Sequence, residues 1–348
     1  MSLKPVRTAK FITVLAAAAL ALVGCGGTGS TADSGAKEVT LYSADGLGDW
    51  YKSTFAAFTQ ETGIKVNYVE AGSGEVVSRL EKEKNNPQAD LLVTLPPFIQ
   101  QAKKQGTLQK NSVDTSQIAA ADKDPEGQFV SLANNYFTMI RNNNLQPKPD
   151  SWQELLEAKY KQKIQYSTPG QAGDGTAMLI LLQQLKGEQA ALQYLKELQD
   201  NNVGPSSSTG KLGPLVAKGQ LSVANSDLQM AMQSIQADKS AYQVFFPQDD
   251  KGVRTTLPVP YLMGLVNGAP HSENATKLMS YLLSPAVQQT LSASAFGLPT
   301  NTSVKPTDAN YLALQAALKG VKIYQPDWNS VLSTMDATIK AYNNATGQ

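Results

Sequence analysis

The chain has 348 residues, with 30 Lys and Arg against 29 Asp and Glu, one histidine and one cysteine. Near-neutral charge, with no basic stripe interleaved with aromatics, excludes nucleic-acid binding by bulk electrostatics. A single histidine and a single cysteine exclude a His-rich zinc site and leave one candidate for any Ser-His-Asp triad; no Gly-x-Ser-x-Gly occurs.

Lys4, Arg7 and Lys10 precede an apolar run from Phe11 to Val23 that closes with Leu22-Val23-Gly24-Cys25. The charged start, and a run too short to span a bilayer comfortably, predict an export signal over residues 1–24. Leu-Val-Gly-Cys also looks like a bacterial lipobox. Cleavage before Cys25 and acylation of that cysteine are therefore expected, with lipid chains tying the protein to the outer face of a membrane. Loss of the signal removes three cations and leaves 27 − 29 = −2. Residues 25–37, rich in Gly, Ser, Thr and Ala, predict a flexible tether.

From residue 38, strands alternate with helices. Val39-Thr40-Leu41-Tyr42-Ser43 reads as a buried strand, followed by the turn Ala44 to Gly48 and a helix with Trp50 or Tyr51, Phe55 and Phe58 inward and Gly63 at its end. Ile64 to Tyr68 alternates as a second strand. Ser73 is a candidate N-cap for the next helix, and Ala89 to Val93 is a third strand. Phe129 to Leu132 and Tyr136 to Ile140 predict strands that cross toward a second lobe. Ser151-Trp152-Gln153-Glu154 has capping-box spacing at the head of a helix. The pattern then repeats, with strands over Lys163 to Ser167, Leu221 to Ala224 and Tyr242 to Phe246. Pro258 and Pro260 mark a return crossing to a strand over Leu262 to Val266, and two helical stretches near Tyr311 to Leu318 and Trp328 to Tyr342 end the chain. His271 reads as an exposed residue beside a cap. The expected fold is α/β and two-lobed, with mostly parallel sheets, residues 38–132 and 260–305 in one lobe and 133–259 and 306–348 in the other. Ligands belong at the carboxyl ends of the strands, in the cleft between the lobes.

Tyr166 to Leu182 holds the most suggestive turn. Gly170, Gly173 and Gly175 permit backbone conformations that a Cβ forbids, and a helix predicted to start near Thr176 would present unpaired N–H groups there. An anion site and an ordinary capped loop both fit these residues. The hydroxyls of the polar loop Asn201 to Gly210 read as caps in preference to ligand contacts.

Residues 39–50 (VTLYSADGLGDW), 71–80 (AGSGEVVSRL), 89–98 (ADLLVTLPPF) and 167–177 (STPGQAGDGTA) together resemble the 2-aminoethylphosphonate-binding proteins of ABC import systems. These are type II solute-binding proteins of the same broad group as ferric-iron and thiamine binders. The resemblance implies a non-enzymatic importer component that binds a small zwitterionic phosphonate and passes it to permease subunits. A monomer without cofactor or metal is expected. The chain lacks the tyrosine pair typical of the iron relatives, whereas thiamine, polyamine and phosphate-ester ligands stay open. A secreted hydrolase is the competing class, but Glu81 and Glu83 alternate with Lys82 and Lys84 as a solvated helix face does. For the zwitterion, the expected phosphonate donors are Ser43, Ser73, Gly74, Thr168, Gly175 and Thr176. The expected ammonium partners are Asp45, Asp174 and Asp227, with Tyr136 or Tyr261 adding a hydroxyl or a ring face.

Overall fold

A computed structural model describes residues 37–348; the export signal, Cys25 and all of the tether but Lys37 lie outside the described residues. β1 (Glu38–Ala44), α1 (Gly48–Thr62), β2 (Lys65–Ala71), α2 (Ser73–Lys82) and β3 (Leu91–Thr94) follow the alternation read from the sequence. Both β2 and β3 lie parallel to β1. The apolar runs of β1 and β3 are buried because helices cover both faces, while β2, at the sheet edge, is only half-buried. α1 buries Trp50, Tyr51, Phe55 and Phe58 along one face. It stops at Gly63, whose φ of 72° supplies the left-handed C-cap.

α3 (Phe98–Lys104), β4 (Leu108–Gln109) and β5 (Phe129–Asn134) complete this part of the chain, and β6 (Phe137–Asn142) departs from it. Next come β7 (Ile164–Gln165), α4 (Gly173–Lys186), α5 (Glu188–Leu198), α6 (Leu212–Ala217), β8 (Val223–Asp227), α7 (Leu228–Ala237), β9 (Tyr242–Phe245) and β10 (Thr255–Thr256). The chain returns through β11 (Tyr261–Val266), α8 (Ser272–Leu283), α9 (Pro285–Ala295) and β12 (Leu298–Pro299). It ends with α10 (Ala309–Leu318), β13 (Lys322–Ile323) and α11 (Trp328–Thr346).

A seven-stranded sheet has the order β12-β5-β11-β3-β1-β2, with β4 also on β11; a four-stranded sheet has the order β7-β8-β6-β9. Neither is mostly parallel as expected: β11 runs antiparallel to β3, β4 and β5, and β6 antiparallel to β8 and β9, because the chain crosses between the sheets at β6 and β11 instead of returning through a helix. Two short connectors join the sheets. Asn135-Tyr136 leads out and Leu257 to Pro260 leads back. They are bonded to each other, Phe137 N–H donating to Leu257 O at 3.1 Å and Val259 N–H to Asn135 O at 2.9 Å. Short paired connectors of this kind are where two lobes rotate.

Two local expectations change. The capping-box bonds form, Glu154 N–H to Ser151 Oγ at 3.2 Å and Ser151 N–H to Glu154 Oε2 at 3.0 Å, but they open only a 3-10 turn over Gln153–Leu156. Asn201 Nδ2 donates to the carbonyls of Leu155 and Glu157, which fixes them outside a helical ladder. His271 is half-buried at the N-cap position of α8, not exposed. Its N–H donates to Asp90 Oδ1 at 2.6 Å, and its Nδ1 lies 3.2 Å from the buried Oδ2 of the same carboxylate.

Candidate ligand-binding site

The carboxyl ends of β1 and β8 and the start of α4 bring three carboxylates into one region. Asp45 follows β1, and its Oδ2 accepts from Ser208 Oγ at 2.6 Å and from Gly210 N–H at 3.4 Å. Asp227 ends β8 and caps α7, Oδ1 accepting from Met230 N–H at 2.7 Å. Asp174 is the second residue of α4 and is 3% exposed; its Oδ1 has no hydrogen-bond partner. Tyr261, from β11, sits among them with its hydroxyl 3.0 Å from Asp45 O, 3.2 Å from Asp227 Oδ2 and 3.2 Å from Gln229 Oε1. One phenolic hydrogen serves three acceptors there. Gly46, at φ 132°, makes room for it, since a Cβ would stand 1.9 Å from that oxygen.

Among the described residues no salt bridge reaches any of the three aspartates. Burial is the largest influence on Asp174 and Asp227. It holds Asp174 well above the ordinary carboxylate range, the charge of Asp227 adds to the rise, and the Thr209 hydroxyl opposes it. Asp227 is pushed up to about 6, chiefly by burial, against the lowering effect of the Met230 N–H and the Asn135 and Tyr261 side chains. Glu70, at the end of β2, is raised by burial as well, although it accepts from Gly46 N–H at 3.1 Å. A cleft of ≈ 400 Å³ runs past Asp45, Glu70, Ser208 and Met230, with Lys211 also on its lining. Buried carboxylates without a cation are costly, and an entering ammonium with three N–H donors removes that cost.

The N-termini of α2 and α4 meet beside this cluster. Neither α2 nor α4 has a side-chain cap. Gly74 N–H donates to Gln171 O at 2.8 Å, and Ser73 Oγ stands 2.8 Å from where a Cβ on Gly173 would lie. A Cβ on Gly72 would stand 2.2 Å from Ser207 O. The first-turn N–H groups of Gly173 and Gly175 have no intrahelical acceptor, and the positive dipole ends of the two helices favour an anion near them.

The chain matches the model of the bacterial extracellular solute-binding protein family over residues 53–318. It belongs to that family. A protein of Salmonella typhimurium, named provisionally as a 2-aminoethylphosphonate-binding periplasmic protein, is 48% identical over 88% of this chain and 92% of its own. Among solved structures, the periplasmic binding protein AfuA from Actinobacillus pleuropneumoniae is 20% identical and superposes with a TM-score of 0.76 over 89% of this chain and 99% of its own. A periplasmic thiamin binding protein, 20% identical, gives 0.75 over 89% and 96%. The fold of this solute-binding protein is that of the type II periplasmic binding proteins.

The solute-binding protein gathers Asp45, Asp174, Asp227 and Tyr261 as one group and Ser73, Gly74, Gly173 and Gly175 as its neighbour. Thr168 stands at the edge, its hydroxyl accepting from Ser206 N–H at 3.0 Å. Other expected donors are already engaged, Gly74 among them, since its N–H is spent on Gln171 O. α4 starts at Gly173, three residues before Thr176, so Thr176 N–H donates to Ala172 O at 3.1 Å and its hydroxyl bridges Gly170 N–H and Ala172 O at 2.9 Å each. Ser43 Oγ donates within β1 to Ala44 O at 2.9 Å. Ser73 opens α2 as its first helical residue, and Gly72 takes the cap position. Tyr136 is not in the group, because its connector turns the ring into the apolar cluster of Leu228, Phe246 and Phe296.

The sequence reading missed Glu70, Ser208, Thr209 and Gln229. The hydroxyls of the 201–210 loop do not cap α6 but reach across to the site: Ser208 to Asp45, and Thr209 Oγ1 to Ser167 Oγ at 3.0 Å. Polar density before a short helix was the available signal, and it pointed to caps.

The raised carboxylates predict a pH dependence of stability. A folded-state pKa above the unfolded one means that the folded protein holds the extra proton. The ligand-free fold is then most favoured below the unfolded value of 3.8, and this contribution is lost as pH rises through about 6 for Asp227. Taken alone, that loss is on the order of 3 kcal/mol. Ligand-free protein should melt several degrees higher near pH 5 than near pH 7.5, and Asp174→Asn should shrink the difference. Calorimetric melting of both proteins across that window checks this.

Proposed function

We propose that this solute-binding protein binds 2-aminoethylphosphonate between its two sheets and delivers it to the permease of an ABC importer. The unpaired buried Oδ1 of Asp174, within a group of three aspartates that no salt bridge reaches among the described residues and next to two uncapped helix N-termini, is the observation that carries the reading. A ligand with an ammonium two carbons from an anionic head matches both halves. Neutral N–H and hydroxyl donors suffice for the head, in keeping with the absence of a basic patch. The Salmonella relative, named for the same ligand, supports this choice over thiamine, polyamines and phosphate esters.

The lobes are proposed as residues 38–132 with 260–305, and 133–259 with 306–348. Cys25 would carry the lipid anchor on the extracytoplasmic side. The protein is proposed to work as a monomer and without turnover, the second in line with its membership of a solute-binding protein family. Titration calorimetry against 2-aminoethylphosphonate, simple alkylphosphonates, phosphate, thiamine and polyamines tests the reading. One-to-one binding that is tightest for 2-aminoethylphosphonate, with the ligand recovered intact, is expected. Tighter binding of a polyamine or of thiamine, or formation of product, would reject it.

A further inference from the structure

α11 carries Leu332, Met335, Ile339 and Tyr342 on one stripe, at three- and four-residue spacing. The ends of the stripe belong to different layers. Met335 is buried with Phe98, Ile99 and Ala102 of the α3 region, which follows β3 of the seven-stranded sheet, and Leu332 packs on the same cluster. Tyr342 is fully buried, its hydroxyl 3.0 Å from that of Tyr166, which leads from β7 of the four-stranded sheet into the glycine-rich turn. Ile339 packs against both clusters and lies 3.2 Å from where a Cβ on Gly170 would stand.

The two attachments differ in strength. At the Tyr342 end, Gln199 also donates to the Tyr166 hydroxyl, and α11 packs along α5. α11 meets α3 over a shorter stretch than it meets α5, and a groove of ≈ 800 Å³ lined by Gln101, Lys104, Asp336 and Lys340 runs beside Met335 and on to Gly170 and Asn343. A loosely filled contact with one buried methionine parts more readily than a hydrogen-bonded, fully buried tyrosine pair.

We propose that α11 is a strap fixed to the four-stranded side, which docks Leu332 and Met335 on α3 as the cleft closes and at the same time holds Gly170 in place through Ile339. Met335 is thereby a positioning residue that sets part of the ligand affinity without touching the ligand. The proposal rests on the closing of the two lobes, as in the function proposed above, but not on which ligand is bound. Met335→Glu tests it, with Met335→Leu as the conservative partner. The glutamate variant should melt within a few degrees of the wild type when ligand-free, bind 2-aminoethylphosphonate roughly tenfold more weakly, and show a larger radius of gyration in ligand-free small-angle scattering. The leucine variant should match the wild type in all three. Unchanged affinity with unchanged scattering overturns the strap, as does a lowered melting temperature with affinity intact. Should the wild type not bind 2-aminoethylphosphonate, the ligand assignment fails and the scattering comparison alone decides the strap.

Discussion

Asp174→Ala should weaken binding of 2-aminoethylphosphonate about a hundredfold or more while leaving ethylphosphonate within a few-fold of its wild-type affinity. The expected size follows from what the side chain lacks in the ligand-free protein. Its Oδ1 is buried without a donor, and Asp227 and Asp45 add repulsion to desolvation. An ammonium would meet a carboxylate that has already lost its water, so the attraction is little offset by further desolvation. At a pH where Asp174 is ionised, the same substitution should raise the ligand-free melting temperature, because a buried, repelled charge is removed. Calorimetric titration with both ligands, together with melting curves, measures the two effects. Equal losses for the two ligands would take Asp174 out of the ammonium role.

Gly72→Ala and Gly175→Ala should fail in different ways. A Cβ on Gly175 would meet Ser167 O at 1.9 Å, where the first turn of α4 presses on the backbone that leads into its own loop. That clash lies within one layer, so Gly175→Ala should cost about 1–3 kcal/mol of stability, or more, and lower the ligand-free melting temperature by several degrees. A Cβ on Gly72 would meet Ser207 O at 2.2 Å, a contact between the α2 start and the loop after α5. Separation of the lobes relieves it. Gly72→Ala should therefore leave ligand-free stability nearly unchanged and weaken ligand binding by about a hundredfold, because closure is blocked. A large drop in stability for Gly72→Ala with affinity retained would contradict the closing cleft.

Much of this was legible because apolar periodicity marks elements well. The alternation of β1, α1, β2, α2 and β3 follows directly from Val39 to Val93, and strand ends in an α/β fold converge by topology. Asp45, Asp174, Asp227 and Tyr261 could therefore be named as a set before their distances were known. The start of α4 was misplaced because Gly173 and Gly175 are poor helix formers, so the sequence hides the first turn. Tyr136 was misassigned because alternation along a crossing segment says nothing about which way it turns after leaving the sheet. Glu70 reads as one charge on a half-buried edge strand, and only the packing of the Gly46 turn against it reveals its place. The contacts of Ser208 and Thr209 span more than forty positions in sequence, which no local pattern records.

A crystal structure of the protein with 2-aminoethylphosphonate bound tests the central claim most directly. The account predicts the phosphonate oxygens beside the first-turn amides of α2 and α4 near Ser73, Gly173 and Gly175, and the ammonium within hydrogen-bond distance of Asp174 and of Asp45 or Asp227. A ligand bound in the reverse orientation, or an ammonium held away from all three aspartates, would contradict it.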